Sequence, residues 1–362
     1  MEEIKSLRKK IDAIDDEILS LLLKRGNIAK KIGEIKKSND ADYYVPSREK
    51  EILLKIKQLP DTGKFPREAL EEIFREILNA TRAIEHKIRV CYFGEEATFT
   101  HQAAIKNFGL NAVYRGADTI SDVFLEVEKR RADYGVVPVE NSTEGAVNHT
   151  LDMFFDSDAK IVSEINLKIE QCLLAVKRID IKNITAVYSH HQALAQTRNW
   201  LARNIPAGAR IIETLSTAHA AKLVAKSPAS KRIAAIAGAA AAKIYGLEIL
   251  ARGIEDIPDN YTRFLVIGKS VNSNPSGHDK TSVMVSIKDR VGALHDILLA
   301  FKKYGINLTK IESRPSKKKA WDYVFFIDFE GHIDNKNVRL ALNNVSRNAR
   351  YIKILGSYPR AD

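Results

Sequence analysis

From Glu2 to Lys37 the chain carries no proline and repeats apolar residues at alternating steps of three and four. Ile4, Leu7, Ile11, Ile14, Ile18 and Leu21 lead to Arg25, and Ile28, Ile32 and Ile35 follow it. That spacing is the buried stripe of one α-helix. At about 1.5 Å per residue the rod is roughly 54 Å long, more than one small domain can cover. The two shorter helices that follow cannot cover it either, so the pattern predicts an interlocked dimer with a second chain along the stripe. Arg25 interrupts the stripe, and a guanidinium on a buried seam is costly unless an anion meets it. The position therefore demands a carboxylate, from a side chain or from a ligand.

Helical spacing sorts the other cations. Lys36 lies three turns beyond Arg25 on nearly the same face, about 16 Å along the axis, so two long side chains can converge on one small anion. Arg8 is roughly 25 Å away in the other direction and turned off that face, so it reaches the same pocket only from an antiparallel partner chain. Past the linker Ser38 to Val45, Pro46 fits the first turn of a second helix that contains Arg48 and Glu49. A third helix, from about Pro66 to His86, places Phe74, Ile77, Leu78, Thr81 and Glu85 on one face, with Thr81 and Glu85 as polar intruders. Cations, a hydroxyl and a carboxyl inside a three-helix dimer describe a pocket for a small polyanion.

Leu7-Arg8, Ile11, Asp15, the Leu-rich run to Arg25, Gly33, Lys36 and Arg48-Glu49 resemble the all-helical chorismate mutase domain, over roughly residues 1–87. The resemblance implies an intertwined dimer that rearranges chorismate to prephenate without a nucleophile. Catalysis would come from holding the chair-like conformer and stabilising charge on the breaking ether oxygen. By the same resemblance Arg8 (from the partner chain), Arg25 and Arg48 bind carboxylates, and Lys36 faces the ether oxygen. A protonated Glu85 donates a second hydrogen bond, and Glu49 and Thr81 join the substrate contacts. Many family members have an acidic residue three positions before the Arg-Glu pair; this chain has Val45.

Composition narrows the remainder. The net charge of +11 is concentrated beyond residue 270, where the basic run Lys317–Lys319 beside Trp321 reads as a solvated hairpin tip rather than a nucleic-acid contact. No apolar stretch is long enough for a membrane span and no signal h-region is present, so a soluble, cytoplasmic chain is expected. Cys91 and Cys172 are too few for a disulfide framework or a cysteine metal site and read as buried free thiols. The nine histidines form no HxxxH or HExxH pattern, the adjacent His190 and His191 are expected to diverge, and no GxGxxG occurs. Neither a metal nor a cofactor is expected.

From Ile88 the period changes. Strand-like runs at Arg89–Phe93, Tyr134–Val139, Cys172–Val176, Ala186–Tyr188 and Phe264–Ile267 alternate with helical stretches such as His101–Phe108 and His219–Ala225. Such alternation predicts α/β layers, here as two small lobes with a cleft where ligands collect at strand ends. Polar clusters fall at those ends: Glu140-Asn141-Ser142-Thr143-Glu144, Ser189-His190-His191-Gln192 with Gln196 one turn on, Ser216-Thr217-Ala218, and Asn260-Tyr261-Thr262-Arg263-Phe264. Singly, each is a turn or an N-cap. Together with Thr98-Phe99-Thr100 they resemble, in order, the catalytic domain of prephenate dehydratase, from about Val90 to Gly268.

That resemblance implies a periplasmic-binding-protein-like pair of lobes with the active site between them and Thr262 as principal catalytic residue. Prephenate loses carbon dioxide and the ring hydroxyl together, so the main requirement is a proton donor near the leaving oxygen. Thr262 would polarise that oxygen rather than fully protonate it. Asn141, Ser189 and Gln196 would fix the substrate, Glu140 and Arg263 would shape the site, and Thr98, Ser142, Thr217 and Phe264 would complete it. The family's Gly-Pro-x-Gly-Thr-Phe-Ser loop reads Gly94-Glu95-Glu96-Ala97-Thr98-Phe99-Thr100 here, and its Ser-His-Pro-Gln reads Ser189-His190-His191-Gln192. His190 is read as a structural hydrogen-bonder rather than a general acid.

Ser270 to His278 is a turn-rich linker. Beyond it the pattern predicts strand Ser282–Ile287, helix Ala293–Tyr304, strands Leu308–Ser313 and Tyr323–Phe329, helix Asn335–Asn344 and strand Tyr351–Tyr358. This βαββαβ order, with Asp289-Arg290-x-Gly292-Ala293-Leu294 and Glu312-Ser313-Arg314-Pro315, resembles a ferredoxin-like ACT regulatory domain. The resemblance implies phenylalanine bound by Gly292, Ala293, Leu294, His295, Asn307, Leu308, Glu312, Ser313, Arg314 and Pro315, with the helix N-terminus offering donors to its carboxylate. The expected whole is a helical mutase domain (1–87), a dehydratase domain (88–270) and an ACT domain (279–362), in a homo-oligomer, dimer or tetramer. Its ligands would be chorismate, prephenate and inhibitory phenylalanine. Two alternatives stay open: a dehydratase whose helical domain only dimerises, and a non-catalytic amino-acid sensor.

Overall fold

The computed structural model describes residues 1–39, 41–60, 62–270, 274–288, 290–315 and 323–361. Asp289, Asn272, Ser273, the Lys317–Lys319 run and Trp321 lie outside the described residues. The N-terminal region is helical: α1 (Glu2–Ser38), α2 (Pro46–Lys57) and α3 (Arg67–Glu85). α1 meets α3 through small residues on the face beside the apolar stripe. A Cβ added at Gly33 would stand 2.7 Å from the carbonyl oxygen of Glu85, and one at Gly26 3.4 Å from Cδ1 of Ile84. Ala29 and Gly33 are the buried residues of α1. The stripe itself is open in the single chain: Ile11, Ile14 and Leu21 are each 56% exposed. The linker between α1 and α2 is a clamp, because Tyr44 packs between Phe108 and Tyr134 of the next domain and lies under the Arg82 guanidinium.

Residues 88–268 form two lobes. The first contains β1 (Arg89–Phe93), α4 (Phe99–Phe108), β2 (Val113–Ala117), α5 (Ile120–Glu128), β3 (Tyr134–Asn141), β4 (Gly145–Ala146), α6 (Asn148–Met153) and β5 (Lys160–Lys168). The second contains β6 (Cys172–Ala175), β7 (Ala186–Ser189), α7 (His191–Gln196), α8 (Arg198–Asn204), β8 (Arg210–Glu213), α9 (Thr217–Ala225), β9 (Ile233–Ala237), α10 (Ala239–Tyr245) and β10 (Glu248–Arg252). β11 (Tyr261–Gly268) then returns to the first lobe. The sheets run β2-β1-β3-β11-β5, with β4 on β3, and β10-β6-β9-β7-β8. The chain thus crosses between lobes twice, and the second crossing inserts β11 antiparallel between β3 and β5. Strands such as β6 and β9 are buried throughout, as strands covered on both faces must be. The strand-like runs fall where expected to within a few residues; β11 begins three residues before the expected Phe264, so Thr262 and Arg263 belong to the first rungs of its ladder.

The C-terminal domain has β12 (Asp279–Ile287), α11 (Ala293–Lys303), β13 (Leu308–Pro315), β14 (Tyr323–Glu330), α12 (Lys336–Asn348) and β15 (Ala349–Pro359). This is the expected βαββαβ order, in an antiparallel sheet β13-β14-β12-β15. Strand alternation divides its faces. Val283, Val285, Ile327 and Phe329 pack with the helices through Ile297, Phe301 and Val345. Met284, Val324, Phe326 and Tyr358 face the other way and share a core with Phe124, Phe154, Ile161 and Leu265 of the first lobe. At that seam a Cβ on Gly356 would run into the Ile161 carbonyl. Cys91 and Cys172 are free and buried, and burial pushes both thiols up to about 11.

The α1–α3 crossing makes a checkable contrast. Gly33→Ala should cost about 1–3 kcal/mol in urea unfolding, because backbone must move. Gly26→Ala meets only a side-chain tip and should be neutral or stabilising by up to ~1 kcal/mol through helix propensity.

Candidate active sites

In the helical domain, Lys36 Nζ stands 2.7 Å from Glu85 Oε2 and also donates to the Tyr43 carbonyl at 3.2 Å. Arg25 Nη1 donates to the Ile77 carbonyl at 3.3 Å, and Thr81 Oγ1 donates to the same oxygen at 2.5 Å. Arg25 and Thr81 border an open groove of about 650 Å³ between α1 and α3, walled by Leu22, Ile77 and Ile84. Burial lowers the Arg25 pKa and the Glu85 charge partly opposes that shift. The carboxylate that Arg25 demands is thus within electrostatic reach, but it is held by Lys36. Glu85 here accepts a hydrogen bond from Lys36, whereas the expected role makes it a donor.

In the two-lobed domain, Asn141 is fixed by its neighbours. Its Oδ1 accepts from the backbone amides of Thr143 (3.0 Å) and Glu144 (3.2 Å) and from the Thr143 hydroxyl (2.6 Å). Those donors identify the oxygen side of the amide, so Nδ2 is the side that donates to Thr262 Oγ1 at 2.8 Å and to Asn260 Oδ1 at 2.8 Å. Thr262 Oγ1 is therefore an acceptor toward Asn141, and its own proton meets no acceptor among the described residues. Ser142 steadies the approach to β11, accepting from the Tyr261 amide at 2.9 Å and donating to the Asp259 carbonyl at 3.2 Å. Across the cleft, Gln196 donates to Glu144 at 2.9 Å and Gln192 donates to the same carboxylate. Glu95 accepts from Ser216 at 2.7 Å, with His219 and Lys222 at 3.8 and 3.9 Å.

Family models match this chain in three blocks: chorismate mutase type II over residues 7–86, prephenate dehydratase over 90–272 and the ACT domain over 281–347. A bifunctional chorismate mutase/prephenate dehydratase of Aquifex aeolicus (strain VF5) is 53% identical over 364 residues, spanning 100% of this chain and 99% of that relative. The chain belongs to the bifunctional chorismate mutase/prephenate dehydratase family. A relative of the same description from Stutzerimonas stutzeri is 43% identical across 99% of this chain and 98% of its own length. Among solved structures, prephenate dehydratase from Arthrobacter aurescens in complex with L-Phe superposes with a TM-score of 0.70 at 33% identity, covering 75% of this chain and 90% of that one. Among the described residues no cluster of His, Cys, Asp and Glu could hold a metal, and no helix is long and apolar enough to cross a membrane.

Set in this family, the expected residues divide. Arg25, Lys36, Thr81 and Glu85 come together on α1 and α3. Arg48 does not join them: it is exposed and pairs with Glu51 at 2.5 Å. Glu49 turns to Arg82 at 3.0 Å beside the Tyr44 clamp; burial raises its pKa and Arg82 opposes that rise. Arg8 is exposed on the first third of α1. Asn141, Ser142 and Thr262 lie together where β3 meets β11, Gln196 reaches Glu144 from the second lobe, and Thr217 opens α9 beside its N-cap Ser216. Thr98 is an N-cap, accepting from the His101 amide at 3.3 Å.

Four expectations need correction. The Ser189 hydroxyl is fully buried and donates to the Ile236 carbonyl at 2.7 Å, so it is not presented to a ligand. Phe264 is a core residue packed with Val90 and Phe108. Glu140 and Arg263 are not substrate contacts, because they lie on the opposite face of the strands that carry Asn141 and Thr262 and engage the ACT domain. His190 and His191 do not diverge; their ring centroids are 4.1 Å apart, because the first is an extended N-cap and the second opens α7. Burial and the neighbouring His191 lower the His190 pKa, so its ring is neutral near pH 7.

In the regulatory domain, Gly292 at φ 77° caps α11 without a side-chain cap, leaving donors at that helix start. Ala293 is buried, Leu294 half-buried and His295 exposed near Asp296, while Asn307, Leu308, Glu312, Ser313 and Pro315 border or belong to the edge strand β13. Arg314 is engaged instead, forking onto Asp152 of the first lobe with two bonds of 3.1 Å. Glu95 and Glu144, which hold the lobes together, were not expected as site residues, although Glu95 stands where the family loop has proline.

The loop before α4 carries a pH prediction. His101 Nδ1 accepts from the Ala97 amide at 3.1 Å, and burial lowers its pKa from 6.5. The unfolded chain therefore binds the proton first, and stability is lost as pH falls below about 6.5 toward the depressed folded value. In thermal melts between pH 7 and 5, His101→Asn, which keeps an acceptor without titrating, should show a shallower fall than the unmodified chain.

Proposed function

We propose that this chain rearranges chorismate to prephenate in the helical domain and converts prephenate to phenylpyruvate in the two-lobed cleft, with phenylalanine inhibiting through the ACT domain. The observation that carries the second step is the Asn141–Thr262 hydrogen bond, which leaves the Thr262 proton free to point at a ligand oxygen. In prephenate the bond to the ring carboxylate breaks, its electron pair enters the ring as carbon dioxide departs, and the ring carbon–oxygen bond releases hydroxide. A hydrogen bond from Thr262 would stabilise the charge growing on that oxygen. Gln192 and Gln196, which hold the Glu144 carboxylate, would take a substrate carboxylate in its place. The lobes would work as a periplasmic-binding-protein-like pair, closing over the ligand.

For the first step, Arg25 would bind a carboxylate of chorismate, and Lys36 would face the ether oxygen once it exchanges Glu85 for substrate. The open stripe of α1 supports a second chain lying along it and supplying its Arg8, hence a dimer. Two buried free thiols fit a reducing compartment such as the cytoplasm. Val45, and Arg48 turned to Glu51, favour one alternative, a dehydratase whose helical domain only dimerises.

Purified protein given chorismate should form prephenate and then phenylpyruvate; persistence of chorismate would establish the alternative. Thr262→Ala should lower phenylpyruvate formation from supplied prephenate about 10²–10³-fold while sparing chorismate loss, and Arg25→Ala should slow chorismate loss while sparing phenylpyruvate formation from supplied prephenate. If either change removed both activities in a folded protein, the division into two sites would be wrong.

A further inference from the structure

The register of β3 and β11 pairs Thr262 with Asn141 and Arg263 with Glu140. Successive residues on a strand point to opposite faces. The Asn141–Thr262 rung therefore faces the cleft, and the next rung, Glu140–Arg263, faces the regulatory sheet. A register irregularity follows directly, between Arg263 and Phe264, the kind of local kink that re-aims side chains beside active sites.

Arg263 is held on every nitrogen. Nε meets Glu164 at 2.7 Å, Nη1 meets Asp328 of β14 at 2.6 Å, and Nη2 donates to the Tyr358 hydroxyl of β15 at 3.0 Å. Lys310 of β13 closes the other end of the rung, 3.0 Å from Glu140. Burial works to lower the Arg263 pKa, but Asp328, Tyr358 and Glu164 outweigh it and hold the guanidinium well above its ordinary value. Asp328 is likewise pushed up by burial, yet Arg263 and the Ser282 hydroxyl bring its carboxyl below the usual range. A buried charge held this tightly moves with its partners, since leaving it unpaired is the costly alternative.

We propose that Arg263 is a positioning residue: Asp328, Tyr358 and Lys310 of the regulatory sheet set the Glu140–Arg263 rung, and through the shared strands they set Thr262 and Asn141 on the opposite face. Effector occupancy then reaches the dehydratase as a small displacement of the Thr262 hydroxyl against the leaving oxygen. Displacements below an ångström suffice to change such a rate. The inference rests on the dehydratase and phenylalanine readings above, and it deepens them by naming the coupling residues.

Tyr358→Phe lies outside both the cleft and the effector motif, Lys310→Met falls between Leu308 and Glu312 of that motif, and phenylpyruvate formation retained without L-phenylalanine reports the folding of both. Both should still bind L-phenylalanine by calorimetry, while inhibition of phenylpyruvate formation weakens roughly tenfold. Arg263→Lys should lower kcat for prephenate with KM within about twofold, the signature of lost positioning rather than lost binding. Unchanged inhibition in both regulatory-side variants would overturn the coupling. A raised KM with unchanged kcat in Arg263→Lys would make Arg263 a substrate ligand instead. If the unmodified chain ignored L-phenylalanine, the regulatory reading would fall, and the kcat measurement would still decide the positioning role.

Discussion

The alternation of side chains along two paired strands is the constraint on which the catalytic and regulatory halves of this protein jointly depend. Asn141 and Thr262 meet on one face of the β3–β11 ladder, and Glu140 and Arg263 meet on the other. Because the period of a strand is two, no change in side-chain rotamer can exchange those faces. The Thr262 hydroxyl and the ion cluster facing the ACT domain therefore belong to adjacent rungs of one ladder. The apolar side of that interface follows the same rule: Met284 faces the lobe while Val283 and Val285 face the helices.

The long first helix solves a related problem with a different period. Gly26, Ala29 and Gly33 form a narrow seam that lets α3 approach closely, and the neighbouring row of isoleucine and leucine is left open. Arg25 sits at the border of the two faces, half-buried against Ile77. One helix thus builds its own domain with one face and leaves the other exposed. Lys36 and Glu85 pair between α1 and α3, outside the lining of the groove that Arg25 borders.

Much of this was legible in the sequence because it depends on local repeats. The three-four stripe, the strand-like runs and the βαββαβ order each follow from short-range periodicity. The motif clusters also named Asn141 and Thr262, which the fold brings into one hydrogen bond. What could not be read was the direction of neighbours within a cluster. Thr262, Arg263 and Phe264 are consecutive, yet they face a cleft, an ion cluster and a core. Arg263 finds Asp328 and Tyr358 at separations of 65 and 95 residues, where no local signal survives. Ser189 fails for the same reason, since its acceptor Ile236 lies on a strand that pairs from 47 residues away. The seam at Gly33 was hidden because small residues carry no amphipathic signal, and the stripe beside it dominated the pattern.

The direct test of this account is amide hydrogen exchange across residues 134–144 and 258–268, with and without L-phenylalanine. If the regulatory domain acts through the shared ladder, protection in both segments should change together with that of residues 290–315. Changes confined to residues 290–315, in a protein whose phenylpyruvate formation L-phenylalanine still inhibits, would contradict it.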